Sequence, residues 1–97
     1  MKPDRLNNII HERVRLAVMS ALAARGKITF CELKDILEVT DGNLSVHATV
    51  LEQNGLIKIK KDFLAKKPRT TFSITDKGKR EFRKYIEELA TILHDRP

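Results

Sequence analysis

The side chains that could do chemistry in this sequence are hydrogen-bonding groups and cations, and their spacing suits the reading of a polyanion. Asn43, Ser45, Val46, His47 and Thr49 crowd into TDGNLSVHATVLEQNG, residues 40–55. Short amides and hydroxyls of this kind reach phosphate oxygens and base edges, and a valine can meet a thymine methyl. Asn43 falls where the N-terminus of a helix would favour a phosphate. A few residues on, Lys58, Lys60, Lys61, Lys66, Lys67 and Arg69 stand against Asp62 alone, a local surplus of +5 within a chain whose net charge is +6. Charge gathered into one short stretch is the electrostatic footprint of a polyanion partner. Lys60, Lys61, Lys66, Lys67 and Arg69 are the expected phosphate contacts. Each phosphate they neutralise releases counterions, so affinity should fall steeply with salt.

Bond-making chemistry finds little support. Serine, histidine and aspartate are all present, but nothing places a nucleophile beside a base, and no glycine-rich phosphate loop occurs. No enzyme is expected. His11, His47 and His94 lack the spacing of metal ligands, so neither metal nor cofactor is expected. Cys31 is the sole cysteine, which rules out an intrachain disulfide and a thiolate cluster, and it is expected to be a small buried residue. No apolar run resembles a signal peptide or approaches the ~18 residues of a membrane span. A soluble, cytoplasmic protein with no membrane partner is therefore expected.

The elements that must position these groups are legible in the hydrophobic periodicity. Ninety-seven residues, 41% of them hydrophobic, suit one domain over 1–97 with a modest core. Residues 5–24 read as a first helix, with Leu6, Ile10, Val14, Ala17 or Val18 and Ala21 on one stripe and Ile9, Leu16, Met19 and Ala23 on a second. Two stripes imply burial on two sides. Ile28, Thr29 and Phe30 suit a short strand. Thr29 and Glu32 form a capping-box pattern that opens a second helix over 31–37. A short turn leads into the third helix, 41–54, capped by Thr40 and Asp41 and stopped by Gly55. Its core stripe is Leu44, Ala48 and Leu51.

After Gly55 the period changes to two. Ile57 and Ile59 alternate with lysines, and Phe72 and Ile74 alternate with Thr71 and Ser73, so 56–74 reads as a hairpin. Asp62 to Arg69 reads as its open, mobile basic loop, with Pro68 unable to donate to a ladder. Thr75 caps a last helix over 76–93. There Phe82, Ile86, Leu89 and Leu93 recur at the narrow spacing of helix pairing. The tail from His94 to Pro97 is expected to fray. The fold class is mainly α with a small β-hairpin, in the order α-α-α-β-β-α with a possible strand at 28–30: a winged helix-turn-helix.

Across residues 10–85 the chain resembles the winged-helix transcriptional regulators related to the MarR and ArsR families, especially short single-domain archaeal and bacterial ones. The motifs are HERVRLAVMSAL, FCELKDILEVTDGNLSVHATVLEQNGLI and KKDFLAKKPRTTFSITDKGKREF. The run from Asp41 to Ile57 and the TTFSITDKG segment are the most specific. The resemblance implies a dimer whose third helix enters the major groove and whose wing touches backbone or minor groove. Two positions depart from the pattern. The ArsR metal sensors carry a cysteine pair before the recognition helix, and here only Cys31 lies near. Relatives often have arginine where Val46 stands, so a guanine-reading contact is missing there.

The outer stripes either complete one core or form a dimer interface through Leu6, Ile9, Leu16, Phe82, Ile86, Leu89 and Leu93. The dimer is favoured, because two recognition helices double the length of duplex read. The expected function is a homodimeric, sequence-specific regulator that binds double-stranded DNA and acts as a repressor. Any effector is unknown. Two rivals remain: a protein-interaction winged helix, and a binder of RNA or of particular nucleic-acid structures.

Overall fold

The computed structural model describes residues 5–94. Its elements are α1 (Arg13–Arg25), β1 (Lys27–Thr29), α2 (Phe30–Leu37), α3 (Asp41–Gln53), β2 (Ile57–Leu64), β3 (Lys67–Ile74) and α4 (Asp76–His94). The three strands form one antiparallel sheet in the order β1-β3-β2. Helix, strand, helix-turn-helix, hairpin and closing helix together make a winged helix. Of the tail expected to fray, His94 instead closes α4, and residues 95–97 lie outside the described residues.

The first helix is shorter than the 5–24 expected from periodicity. The Asn7 side-chain oxygen accepts the Ile9 and Ile10 amides at 2.8 and 3.3 Å, and its carbonyl accepts the His11 amide at 2.7 Å. Those bonds make a turn that competes with helix. Glu12 then caps α1, its carboxylate accepting the Arg15 amide at 2.8 Å. The turn still delivers Leu6 and Ile10 to the core, at 7% and 0% exposure. Apolar spacing thus placed Leu6, Ile10, Val14, Val18 and Met19 inside but missed buried Leu22 and wrongly included exposed Ala23, and two polar side chains set where the helix begins.

Thr29 and Glu32 form the full capping box, and α2 begins one residue earlier than expected, at Phe30. The ring of Phe30 meets Phe72 edge to face at 5.9 Å, tying α2 to the sheet. Cys31, expected inside, is exposed. It lies on the face of α2 turned away from Leu33, the helix's buried residue. Glu38 turns the chain toward α3 from the left-handed region, φ 53°.

The expected basic loop is instead mostly strand. Pairing continues outward through Asp62↔Arg69, Phe63↔Pro68 and Leu64↔Lys67, leaving only Ala65 and Lys66 to turn. Both have positive φ, 52° and 66°, the geometry of a tight two-residue hairpin whose twist matches its strands. Pro68 is tolerated because the pair next to the turn is hydrogen-bonded and the following pair is not. Its missing N–H would have pointed away from β2.

Gly55 leaves α3 at φ 73°, a conformation that side chains disfavour, and so swings the chain into β2. The Thr75 hydroxyl donates to the Gly55 carbonyl at 2.6 Å and accepts the Gly78 amide at 2.9 Å. It therefore caps α4 and clamps it to the start of the wing. Gly78 is required by space: a Cβ there would overlap the Leu56 carbonyl oxygen and come within 2.9 Å of Ile74 Cγ1.

The core joins Leu6, Ile10, Val14, Val18, Met19 and Leu22 to Ile28, Leu33, Leu44, Leu51, Leu56, Phe72 and Tyr85. The α4 stripe is shifted from the expected one. Phe82, Tyr85, Leu89 and Ile92 face this core, while Ile86 and Leu93 point outward at 43% and 72% exposure. The shift centres on Tyr85, 2% exposed, whose hydroxyl lies 2.7 Å from His11 Nδ1. That bond satisfies the one polar atom a buried tyrosine brings with it.

Candidate nucleic-acid interface

α3 is held by its buried face and presents the other. Leu44, Ala48 and Leu51 are at 0–1% exposure, and Asn43, Ser45, Val46 and Thr49 are exposed. The Thr40 hydroxyl accepts the Asn43 amide at 3.1 Å and caps the helix. Asp41 would repel a phosphate approaching this end. Lys34 of α2 neutralises it with an ion pair at 2.7 Å, and the Asp41 hydrogen bond in turn raises the Lys34 pKa.

The hydrogen-bonding capacity of the exposed face is unevenly free. Ser45 and Asn43 are exposed, with their side chains directed outward. The Thr49 hydroxyl donates back to the Ser45 carbonyl at 2.9 Å, so it faces a ligand mainly as an acceptor. His47 is half-buried and engaged inside the domain: its Nδ1 lies 3.0 Å from Arg15 Nη1 and 3.4 Å from a Glu12 carboxylate oxygen. Arg15 also donates to the Ile9 carbonyl at 2.6 Å. This cluster fixes α3 against the start of α1. Burial pushes the Glu12 carboxyl upward, but the Arg15 and Val14 amides and the nearby His47 and Arg15 outweigh it and hold its pKa below the ordinary value.

The wing cations divide between two faces of the sheet, as alternate strand residues must. Lys61 and its partner Thr70 share a cleft of about 280 Å³ with Ser45, Thr49, Ile59 and Phe72. Lys60 and Arg69 line a different cleft, of about 520 Å³, together with Lys27, Lys58 and Asp62. Arg69 is committed to Asp62 by two hydrogen bonds of 3.0 and 2.9 Å. The Arg69 hydrogen bond depresses the Asp62 carboxyl and raises the guanidinium. Lys66 and Lys67 lie at the exposed tip. The cations grouped by sequence therefore separate: Lys61 stands beside the exposed α3 face, Lys66 sits in the turn beyond it, and Lys60, Arg69 and, by its register opposite Leu64, Lys67 look the other way. Thr70 joins the α3 side although nothing in its residue type singled it out. The signal lay in its register opposite Lys61.

Among the described residues, no group of three or more His, Cys, Asp and Glu could hold a metal ion. No helix among them is long and apolar enough to cross a membrane.

A helix-turn-helix with an exposed second helix, flanked by a basic hairpin and closed by a C-terminal helix, defines the winged-helix class. The chain belongs to the winged helix DNA-binding domain family, whose model matches residues 14–93. It is 35% identical over 81 residues to an uncharacterised protein of Methanocaldococcus jannaschii, covering 84% of this chain and 88% of that one. It is also similar to the solved structure of a transcriptional regulator homologue from Pyrococcus horikoshii OT3. That likeness has a TM-score of 0.84 at 38% identity and covers 90% of this chain and 86% of the other. A putative MarR-family regulator from Porphyromonas gingivalis W83 shares the fold, with a TM-score of 0.68 at 22% identity over 91% of this chain and 85% of that one.

Proposed function

We propose that the protein is a transcriptional regulator that binds double-stranded DNA in a sequence-specific manner as a homodimer and acts by repression. One observation carries the reading: the exposed face of α3 borders, through Ser45 and Thr49, the same cleft as Lys61 of the wing. A helix set in the major groove and a cation set on the adjoining backbone are then offered to one duplex together. Ser45 and Asn43 read base edges or phosphates, Val46 meets a thymine methyl, and Lys61, Lys66 and Lys67 contact phosphates. Repression follows from occlusion, since a dimer covering two half-sites blocks the duplex it occupies.

The dimer is supported by α4. Ile86 and Leu93 are exposed on a 19-residue helix, flanked by half-buried Phe82 and Leu89. Ile9 and Leu16 are also half-buried and available to a partner. Leu6 is not, because the subunit's own core covers it. The rival protein-interaction reading draws on one fact, that residues 43–51 contain no lysine or arginine.

Competition gel shifts with genomic fragments, random duplex and RNA, paired with sedimentation, test the proposal. The expected result is a dimer that retains genomic duplex against an excess of both competitors. Equal retention of RNA or random duplex, or a monomer on DNA, would refute it.

A further inference from the structure

The tip of the wing carries an exposed aromatic group that the contacts above leave unused. Phe63 is 74% exposed and Leu64 beside it 59%. A solvated hairpin end ordinarily carries polar residues on its open faces. Here Lys66 of the turn and Lys67 at the start of β3 flank two large apolar side chains, and Pro68 stands opposite Phe63 in the register. Leu64 and Pro68 border a cleft with Phe30, Cys31 and Thr70. By strand alternation Phe63 falls on the Lys61 face, the face turned toward Ser45 and Thr49.

Phe63 is two residues beyond Lys61, about 7 Å further out, and four beyond Ile59, which pairs with buried Phe72. It therefore projects about 13 Å past the last core layer of the sheet. The Ala65-Lys66 turn leaves no slack for it to fold back. With α3 in a major groove, the next minor groove lies about half a helical turn, roughly 17 Å, to the side. A phenylalanine cannot contact phosphate with profit, but it can enter a minor groove and wedge between base pairs, as apolar side chains do in proteins that kink DNA. Flanking lysines suit the negative potential of that groove and would disfavour an ordinary apolar protein surface.

We infer that Phe63 is an apolar wedge that inserts into the minor groove beside the site read by α3, unstacks one base step and bends the duplex. This rests on the DNA-binding reading and adds to it a preference for easily unstacked pyrimidine–purine steps at a place where no base edge is read. The wedge acts with Lys61, Lys66 and Lys67 but has its own signature, since phosphate contacts alone neither unstack nor kink.

The test uses the full chain with duplexes recovered by selection from a random library. These carry 2-aminopurine at successive flanking steps and a donor–acceptor dye pair at their ends. The wild type should brighten 2-aminopurine at one step and shorten the end-to-end distance, corresponding to a bend of at least about 20°. F63A should abolish both signals and weaken binding about tenfold, while F63L should keep most of each. An unchanged thermal melt would show that F63A folds, as expected for so exposed a residue. If the wild type binds tightly without bending or unstacking, or if F63A bends as the wild type does, the wedge is overturned and DNA binding stands. If no duplex is selected at all, both are overturned.

Discussion

At the scale of single residues, the α3 face and the wing have different proposed roles, and substitutions should separate them. Ser45→Ala removes a group able to reach a base edge, so discrimination at one operator position should fall by about 1–3 kcal/mol while random duplex is bound as before. Lys61→Gln removes the cation proposed to contact a phosphate. It should weaken all duplexes alike and reduce the salt slope by about one. Titrations of both variants over a salt series would show the two patterns. A second residue-level expectation concerns pH. Glu12 has a depressed carboxyl in the folded state, so its contribution is fully present above its ordinary value of 4.5 and is lost as pH falls through the lower folded value. Stability should therefore drop on acidification below that point. Glu12→Gln should be less stable at neutral pH and lose less on acidification, as denaturant melts across pH would show. His47 shows what residue type alone leaves open. Its place on α3 makes it a candidate for DNA contact or for a bond within the fold, and Arg15 and Glu12 lie against its ring inside the domain. Their approach depends on where α1 starts, which no local pattern states.

At the scale of elements, two glycine and turn positions set the geometry between α3, wing and α4. Gly78→Ala should destabilise the fold by about 2–4 kcal/mol, because the added methyl meets the Leu56 backbone rather than a movable side chain. Thermal melts would measure it, and an unchanged midpoint would contradict the close approach of α4 to the wing. The turn offers the opposite case. Ala65 and Lys66 occupy positive φ without being suited to it, so Ala65→Asn with Lys66→Gly should stabilise the hairpin by about 1–2 kcal/mol. An open, mobile loop would show no gain. Much of this level was readable from sequence. The capping box at Thr29, the α3 cap at Thr40 and the period-two strands all leave local signatures. The wing's true length did not, because a turn built from Ala and Lys lacks the Asn-Gly signal, and a proline next to it argues for loop until the register is known. β1 shows the same limit: three residues are a strand only because β3 lies alongside.

At the scale of the whole molecule, the placing of the α3 face, the wing and the outer face of α4 follows from where the core sits. The α3 stripe and α1 are buried together, the hairpin extends from that core, and α4 turns Ile86 and Leu93 away from it. Sequence grouped the wing cations as one patch, but strand alternation splits them, leaving Lys61 with α3 and sending Lys60 and the Arg69–Asp62 pair to the far face. That division was available in principle from the period of two, and only the pairing with α3 says which half matters. The central claim is that α3 reads sequence while the wing supplies charge. Selection of bound duplexes from a random library, carried out in parallel with the wild type and Ser45→Ala, tests it most directly. The account predicts that the wild type enriches two inverted half-sites about ten base pairs apart, and that Ser45→Ala relaxes the same position in each. Salt-sensitive binding with no enriched sequence, or a consensus unchanged by substitution on α3, would contradict it.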